Sequence, residues 1–442
     1  MRHDRTVLGW LGFTVVSILL ISLGVGSSFA QTARLEIPSS MNPVGSGARA
    51  LGMGGAFIAV ADDATAASWN PGGLIQLETP EVSIVGAYFK REENNTFGAD
   101  PEASGTQEAS KGNLNYFSFA YPFNAFNRNM VLSLNYQNLY DFTRNWDLPL
   151  LDVQDAEEST TVFDVELAQE GSLNAIGLAY SIQVTPRFSL GLTLNVWPVD
   201  MNGWEQKQKY SGGIVILDTP FSYTAEQISQ YTFSGFNANI GILWGITSRM
   251  TLGAVLKTPF TADLKHKYTE NVEYEGGLDS YSTTYEDDEE LDMPMSYGIG
   301  LSYRFSDQWT AAIDIYRTEW DDFILRDAAG NETSPINNKP KGEAGIDPTM
   351  QLRTGFEYLY IADNFVVPVR GGVFYDPAPA EGSPDDYYGF SLGSGIAFRK
   401  VVFDMAYQFR FGNDVANHLI ESYDFSQDMR EHTLYASMIY HF

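Results

Sequence analysis

Beyond residue 80 the apolar side chains of this chain recur at every second position. Met293, Met295, Tyr297, Ile299, Leu301, Tyr303 and Phe305 alternate with Pro294, Ser296, Gly298, Gly300, Ser302 and Arg304. Phe188 to Val196 and Val401 to Phe411 repeat the pattern. Successive strand side chains point to opposite faces, so each segment has one apolar and one polar face. The segments run about 11–13 residues, against ~5–6 for strands of soluble proteins and ~9–11 for tilted membrane strands. Their polar faces carry Asn195, Asp314, Arg353, Glu357, Arg370, Asp404 and Arg410. A dry sandwich core tolerates such groups poorly, whereas a wet barrel lumen accepts them.

Fourteen segments have this character: 80–91, 113–123, 129–139, 173–184, 187–198, 231–247, 249–267, 293–305, 308–320, 350–361, 366–376, 388–399, 401–412 and 431–442. The even number suits a single-chain antiparallel barrel. Short links fall near Thr185-Pro186, Thr247-Ser248, Ser306-Asp307, Ala362-Asp363 and Arg399-Lys400, with a longer one at Pro122–Asn129. Long loops, 92–112, 140–172, 199–230, 268–292, 321–349, 377–387 and 413–430, lie at the other end. This asymmetry predicts an all-β, fourteen-stranded transmembrane barrel over 80–442 with both termini on the periplasmic side. The last strand should close against 80–91, with Trp244, Trp309, Tyr440 and Phe442 in an aromatic girdle.

The first eighty residues lack the alternation. Arg2 and Arg5, the apolar run Val7 to Val25 and the site Ser28-Phe29-Ala30 predict a signal peptide over 1–30; a membrane anchor is the competing reading. Residues 31–79 are rich in Gly and Ala and predict a partly helical hatch folded into the lumen, against a loose periplasmic tail. In the hatch reading Asp62 and Asp63 lie near an inward arginine such as Arg370 or Arg410.

Composition narrows the chemistry. A net charge of −29 argues against nucleic acid, and the absence of Cys removes disulfides and thiolate metal sites. Removing residues 1–30 takes away two positive charges and one negative, so the mature charge is −29 − 1 = −30. The five His are scattered at 3, 266, 418, 432 and 441, so no metal site or cofactor is expected. Gly389-Phe390-Ser391-Leu392-Gly393 matches a nucleophile-elbow pattern, but Ser391 sits inside an alternating strand, and no enzyme is expected. Glu286-Asp287-Asp288-Glu289-Glu290 reads as a solvated loop, with divalent cations bridging to lipopolysaccharide as the alternative.

Several motifs share one family order. They are Gly52-Met53-Gly54-Gly55-Ala56, Ala61-Asp62-Asp63-Ala64, Asn70-Pro71 with Leu74, and Met293-Pro294. Tyr303 to Trp309, Asp314 to Trp320, Arg370-Gly371-Gly372 and Tyr375-Asp376-Pro377-Ala378-Pro379 follow. The sequence resembles the outer-membrane long-chain fatty acid transporters, a family that includes aromatic-hydrocarbon transporters. Gly72 departs from the Ala usual there. The terminal Phe442 resembles the signal read by barrel-insertion machinery. The resemblance implies a monomeric fourteen-stranded barrel with a hatch in the outer membrane of a Gram-negative bacterium. It implies passive uptake of a fatty acid or hydrocarbon, captured outside, held in an inner pocket and released sideways through a wall gap.

The apolar run Ile214-Val215-Ile216-Leu217, with Phe221 and Tyr223, is the expected capture surface; an extended hairpin above the membrane is the alternative. A second functional class, a barrel adaptor of a protein secretion system, rests on the similar opening Gly47 to Gly55.

Overall fold

A strand with one apolar and one polar face needs lipid or a core on the first and water or a filler on the second. The computed structural model describes residues 37–154, 160–216, 219–275, 280–420 and 424–442, the side chains of 149–163 and 213–221 excepted. The signal-peptide segment lies outside the described residues.

The strands are β1 (Glu81–Phe97), β2 (Gly105–Ala125), β3 (Arg128–Asp141), β4 (Arg144–Gln154), β5 (Thr160–Thr185), β6 (Phe188–Trp197), β7 (Gly203–Ile216), β8 (Thr219–Gly245), β9 (Met250–Lys257) and β10 (Phe260–Glu275). They continue with β11 (Tyr281–Met293), β12 (Ser296–Arg304), β13 (Trp309–Thr318), β14 (Ile324–Arg326), β15 (Glu332–Thr333), β16 (Thr349–Ile361), β17 (Val366–Tyr375), β18 (Tyr387–Phe398), β19 (Val401–Val415) and β20 (Phe425–His441).

Antiparallel pairing runs through β1, β2, β3, β5, β6, β8, β9, β12, β13, β16, β17, β18, β19 and β20 and returns to β1, a closed wall of fourteen strands. The seam pairs Glu81 with His441 and Phe97 with Phe425. Ile84, Phe117, Leu134, Leu178, Leu301 and Met438 project outward and are exposed, whereas Ser83, Ser118, Ser133 and Thr193 are buried on the inner face. Trp244, Trp309, Tyr440 and Phe442 are exposed near the end with the short turns. All fourteen predicted segments overlap a wall strand.

Three details differ from the sequence reading. The segment 249–267 is two strands: β9 ends at Lys257, Thr258 and Pro259 break the ladder, and β10 leaves the wall. The link at Pro122–Asn129 is a two-residue turn at Phe126 and Asn127, both at positive φ (52° and 58°), which suits the twist of a tight hairpin. Most of the outer loops 140–172, 199–230 and 268–292 are strand. There β4, the outer part of β5, β7, the outer part of β8, β10, β11 and β14 form a second sheet above the wall. Segment 92–112 likewise prolongs β1 and β2.

Residues 37–79 lie inside. Two short helices, α1 (Ala48–Gly52) and α2 (Ala66–Trp69), and a 3₁₀ turn (Pro71–Gln76) form this hatch. Phe57, Ile58, Trp69 and Leu74 are fully buried. Gly54 and Gly55 adopt φ of 69° and 74°, which only glycine takes without strain. Opposite Pro71 the wall carries Gly191 and Gly241, where any side chain would collide with the hatch backbone or Asn70.

Candidate functional site: hatch, chambers and a break in the wall

The lower lumen is closed by polar contacts between hatch and wall. Asp314 accepts hydrogen bonds from the backbone N–H groups of Phe57 (2.6 Å) and Ile58 (2.8 Å). Arg353 donates to the carbonyl of Gly54 at 3.1 Å. Ser391 accepts from Gly54 N at 2.8 Å and donates to Gly52 O at 3.1 Å, so this hydroxyl holds the hatch. Met53 is fully buried, and its carbonyl lies against Gly355. Asn70 Nδ2 donates to Ile58 O and to the wall carbonyl of Ile242, both at 2.8 Å.

The charges form a chain. Asp62 pairs with Arg49, which also donates to Glu357 at 3.0 and 3.1 Å. Glu357 accepts from Arg370 at 2.6 Å, and Arg370 donates to Asp404 at 2.5 Å. Arg410 donates to Asp376 at 3.0 Å, with Arg353 3.5 Å from the same carboxylate. Asp62 and Asp63, expected near Arg370 or Arg410, reach Arg370 only through intermediaries. Their arginine is Arg49, within the hatch, with Asp63 at 3.8 Å, and Glu357 links it to Arg370. Burial would raise the Asp376 carboxyl, just past β17, but Arg410 and Arg353 hold it below the usual range.

Above the hatch, the segment Ser39 to Val44 crosses the lumen as a strap. Asn42 is its main anchor. Its side-chain oxygen accepts from Trp320 Nε1 (2.9 Å) and Thr349 Oγ1 (3.0 Å), and its amide nitrogen donates to Pro377 O at 2.6 Å. Lys257 Nζ donates to the carbonyls of Pro43 (2.9 Å) and Val44 (2.8 Å). Among the described residues no carboxylate lies within ion-pair distance of Lys257.

The strap separates two chambers. One is aromatic, lined by Tyr140, Trp197, Phe260, Tyr316 and Trp320, with Met293 and Lys257. The other is lined by carboxamides, Asn113, Asn115, Gln137, Asn138 and Gln408, with Arg353, Arg410 and Asp376. Asn42, Pro43 and Leu139 line both. The amide oxygens of Asn113 and Asn115 are buried without a protein partner.

Beside the second chamber the wall is broken. The β2–β3 ladder ends at Tyr116 opposite Gln137. Above that rung, β2 continues along β1 and β3 along β5, but not along each other. Both strands bulge at this height: the β1–β2 register skips Asn115, and the β3–β5 register skips Leu139. Bulges bend strands and end pairing, and they cluster at functional sites. Side chains alone cross the gap, Asn113 Nδ2 donating to Asn138 Oδ1 at 3.2 Å and Lys111 facing Asp141 at 3.0 Å. Higher still, Gln107 exchanges hydrogen bonds with the backbone of Asp147 (2.8 and 3.1 Å) and closes the top.

The inner face of the second sheet leads down to the chambers through stacked rings. Phe142 and Trp204 lie 4.9 Å apart, Trp204 and Tyr231 4.5 Å, and Tyr231 and His266 4.1 Å. Of the expected capture residues, Tyr223 belongs to this face, half-buried and 6.2 Å from Tyr274. The backbone places Ile214 to Ile216 at the tip of the β7–β8 hairpin, opposite Phe221 to Thr219, so the extended-hairpin alternative describes the local structure. Leu217 and the side chains of Ile214, Val215, Ile216 and Phe221 lie outside the described residues. The aromatic chamber was missed in the sequence, although Trp197, Phe260 and Trp320 all fall at segment ends or breaks.

A closed fourteen-stranded wall around a luminal hatch defines a plugged outer-membrane transport barrel. The chain belongs to the family described as "Outer membrane protein transport protein (OMPP1/FadL/TodX)", whose sequence profile matches residues 24–436. Solved structures agree in fold. A Pseudomonas aeruginosa FadL homologue superposes with a TM-score of 0.63 at 17% identity, covering 91% of this chain and 99% of that one. The Pseudomonas putida toluene transporter TodX gives 0.59 at 14% identity, covering 90% and 98%. The CymD monoaromatic hydrocarbon channel gives 0.53 at 17%, covering 91% and 98%. No curated protein matches the sequence. Nothing in these comparisons supports the secretion-adaptor reading.

Proposed function

We propose that this barrel takes up hydrophobic small molecules passively, with long-chain fatty acids the best fit, and releases them sideways between β2 and β3. The carrying observation is the break in the β2–β3 ladder beside a chamber that a hydrophobic molecule can reach without crossing the hatch. The ion-pair chain below bars the straight route, because an acyl chain passing there would have to break the buried pairs of Arg370 with Asp404 and Glu357. The aromatic chamber offers apolar surface worth about 25 cal/mol per Å² buried. Lys257 supplies a cation for a carboxylate. A plain hydrocarbon would leave that ammonium without a charge partner, which favours the acid.

The chain has no native Cys, so one engineered pair can test the exit. In N113C/N138C, oxidation should abolish uptake of labelled oleate by cells expressing the protein, and reductant should restore it. Undiminished uptake by the oxidised, cross-linked barrel would remove the sideways route.

A further inference from the structure

The periplasmic rim carries a feature unrelated to the chambers. Four neighbouring turns, β2–β3, β5–β6, β8–β9 and β12–β13, each present one arginine: Arg128, Arg187, Arg249 and Arg304. The turns are knitted side by side. Arg128 donates to the carbonyl of Val184, Gly245 N donates to Arg187 O at 2.8 Å, and Arg304 N donates to Arg249 O at 2.8 Å. Neighbouring turns are two strand spacings apart, so the arginines recur about every 10 Å along the rim. All four are exposed. None has a carboxylate partner among the described residues, and Asp307 is the one acid in these turns. In a chain of net charge −29, an unneutralised run of guanidinium groups is not a by-product of composition.

The level of this arc identifies its partner. Phe126, Trp244, Phe305 and Trp309 flank it and are exposed, Phe126 to 93%. Aromatic rings of this kind mark the depth of the lipid headgroups. We infer that the arc binds the phosphates of anionic phospholipids in the periplasmic leaflet. A guanidinium matches a phosphate with two parallel hydrogen bonds, and the arc holds several at lateral spacing. Each basic residue near an anionic lipid surface favours it by about 1 kcal/mol, roughly five-fold.

The test uses the full chain in mixed micelles holding equal phosphatidylglycerol and phosphatidylcholine, with retained lipid counted by native mass spectrometry. The unaltered barrel should retain phosphatidylglycerol preferentially. The variant R128Q/R187Q/R249Q/R304Q should lose at least about ten-fold of that preference. R326Q, in the outer sheet, should keep it. Circular dichroism and unheated gel mobility confirm that each variant forms a barrel. The inference is overturned if the quadruple variant keeps its preference or if R326Q loses it equally. Equal retention of both lipids by the unaltered barrel also overturns it and leaves the arc to a protein partner.

Discussion

The two halves of the lumen are built to opposite rules. Below, hatch and wall are locked by dense side-chain-to-backbone bonds and ion pairs: Asp314 on two N–H groups, Ser391 on Gly52 and Gly54, Glu357 between two arginines. Above, a strap hung on Asn42 divides two chambers, amide oxygens lack partners, and the wall is joined by side chains where its ladder stops. Continuous pairing suits a seal; a gap spanned by Asn113 and Asn138 suits a passage that must open. Impermeability and transport therefore occupy different heights of one barrel.

Substitutions should separate the halves, from the largest effect to the smallest. Arg370→Leu leaves Glu357 with Arg49 alone and deprives Asp404 of its arginine. Breaking a buried pair costs about 3–5 kcal/mol, so the hatch should become protease-sensitive and the unfolding midpoint in denaturant should fall. An unchanged hatch would mean that the seal does not depend on the ion-pair chain. Trp197→Ala removes one wall of the aromatic chamber. Trp197 is almost fully buried and presents only a small area to the chamber, so affinity for a fluorescent fatty acid should fall about two- to five-fold. Hatch protection should not change, and joint loss of both would erase the division. Lys265→Gln is the smallest step. Lys265 faces Asp288 at 3.7 Å on the outer surface of the second sheet, both exposed, and neither uptake nor melting should move measurably.

The barrel was legible because lipid outside and a polar lumen inside impose alternation on every wall strand. That rule fails in the outer sheet. On β11 the inward positions include Asp287 and Glu289, so both faces are polar and the segment reads as a solvated loop. The gap left no trace either: Asn113 and Asn115 are ordinary inward residues, and a missing hydrogen-bonding neighbour is a property of register, not of composition. The hatch was legible as a small-residue segment, but its charge partners were not. Arg49 lies thirteen positions before Asp62 in a fold without regular periodicity. The aromatic chamber was hidden because Tyr140, Trp197, Phe260 and Trp320 come from separate segments that only the closed wall brings together.

The seam between β1 and β20 has a consequence for assembly. It joins residues more than three hundred positions apart and is paired over its whole length, from Glu81 with His441 to Phe97 with Phe425. The hatch precedes β1, yet much of its grip comes from the last third of the chain: Arg353, Glu357, Asp376 and Ser391. The early strands hold the Ala64 to Gly72 part of the hatch through Tyr116, Ser189 and Thr193, but the Gly52 to Gly55 part has its partners only on the last strands. The seal of a nascent barrel is therefore completed in two stages, and the second coincides with closure of the wall.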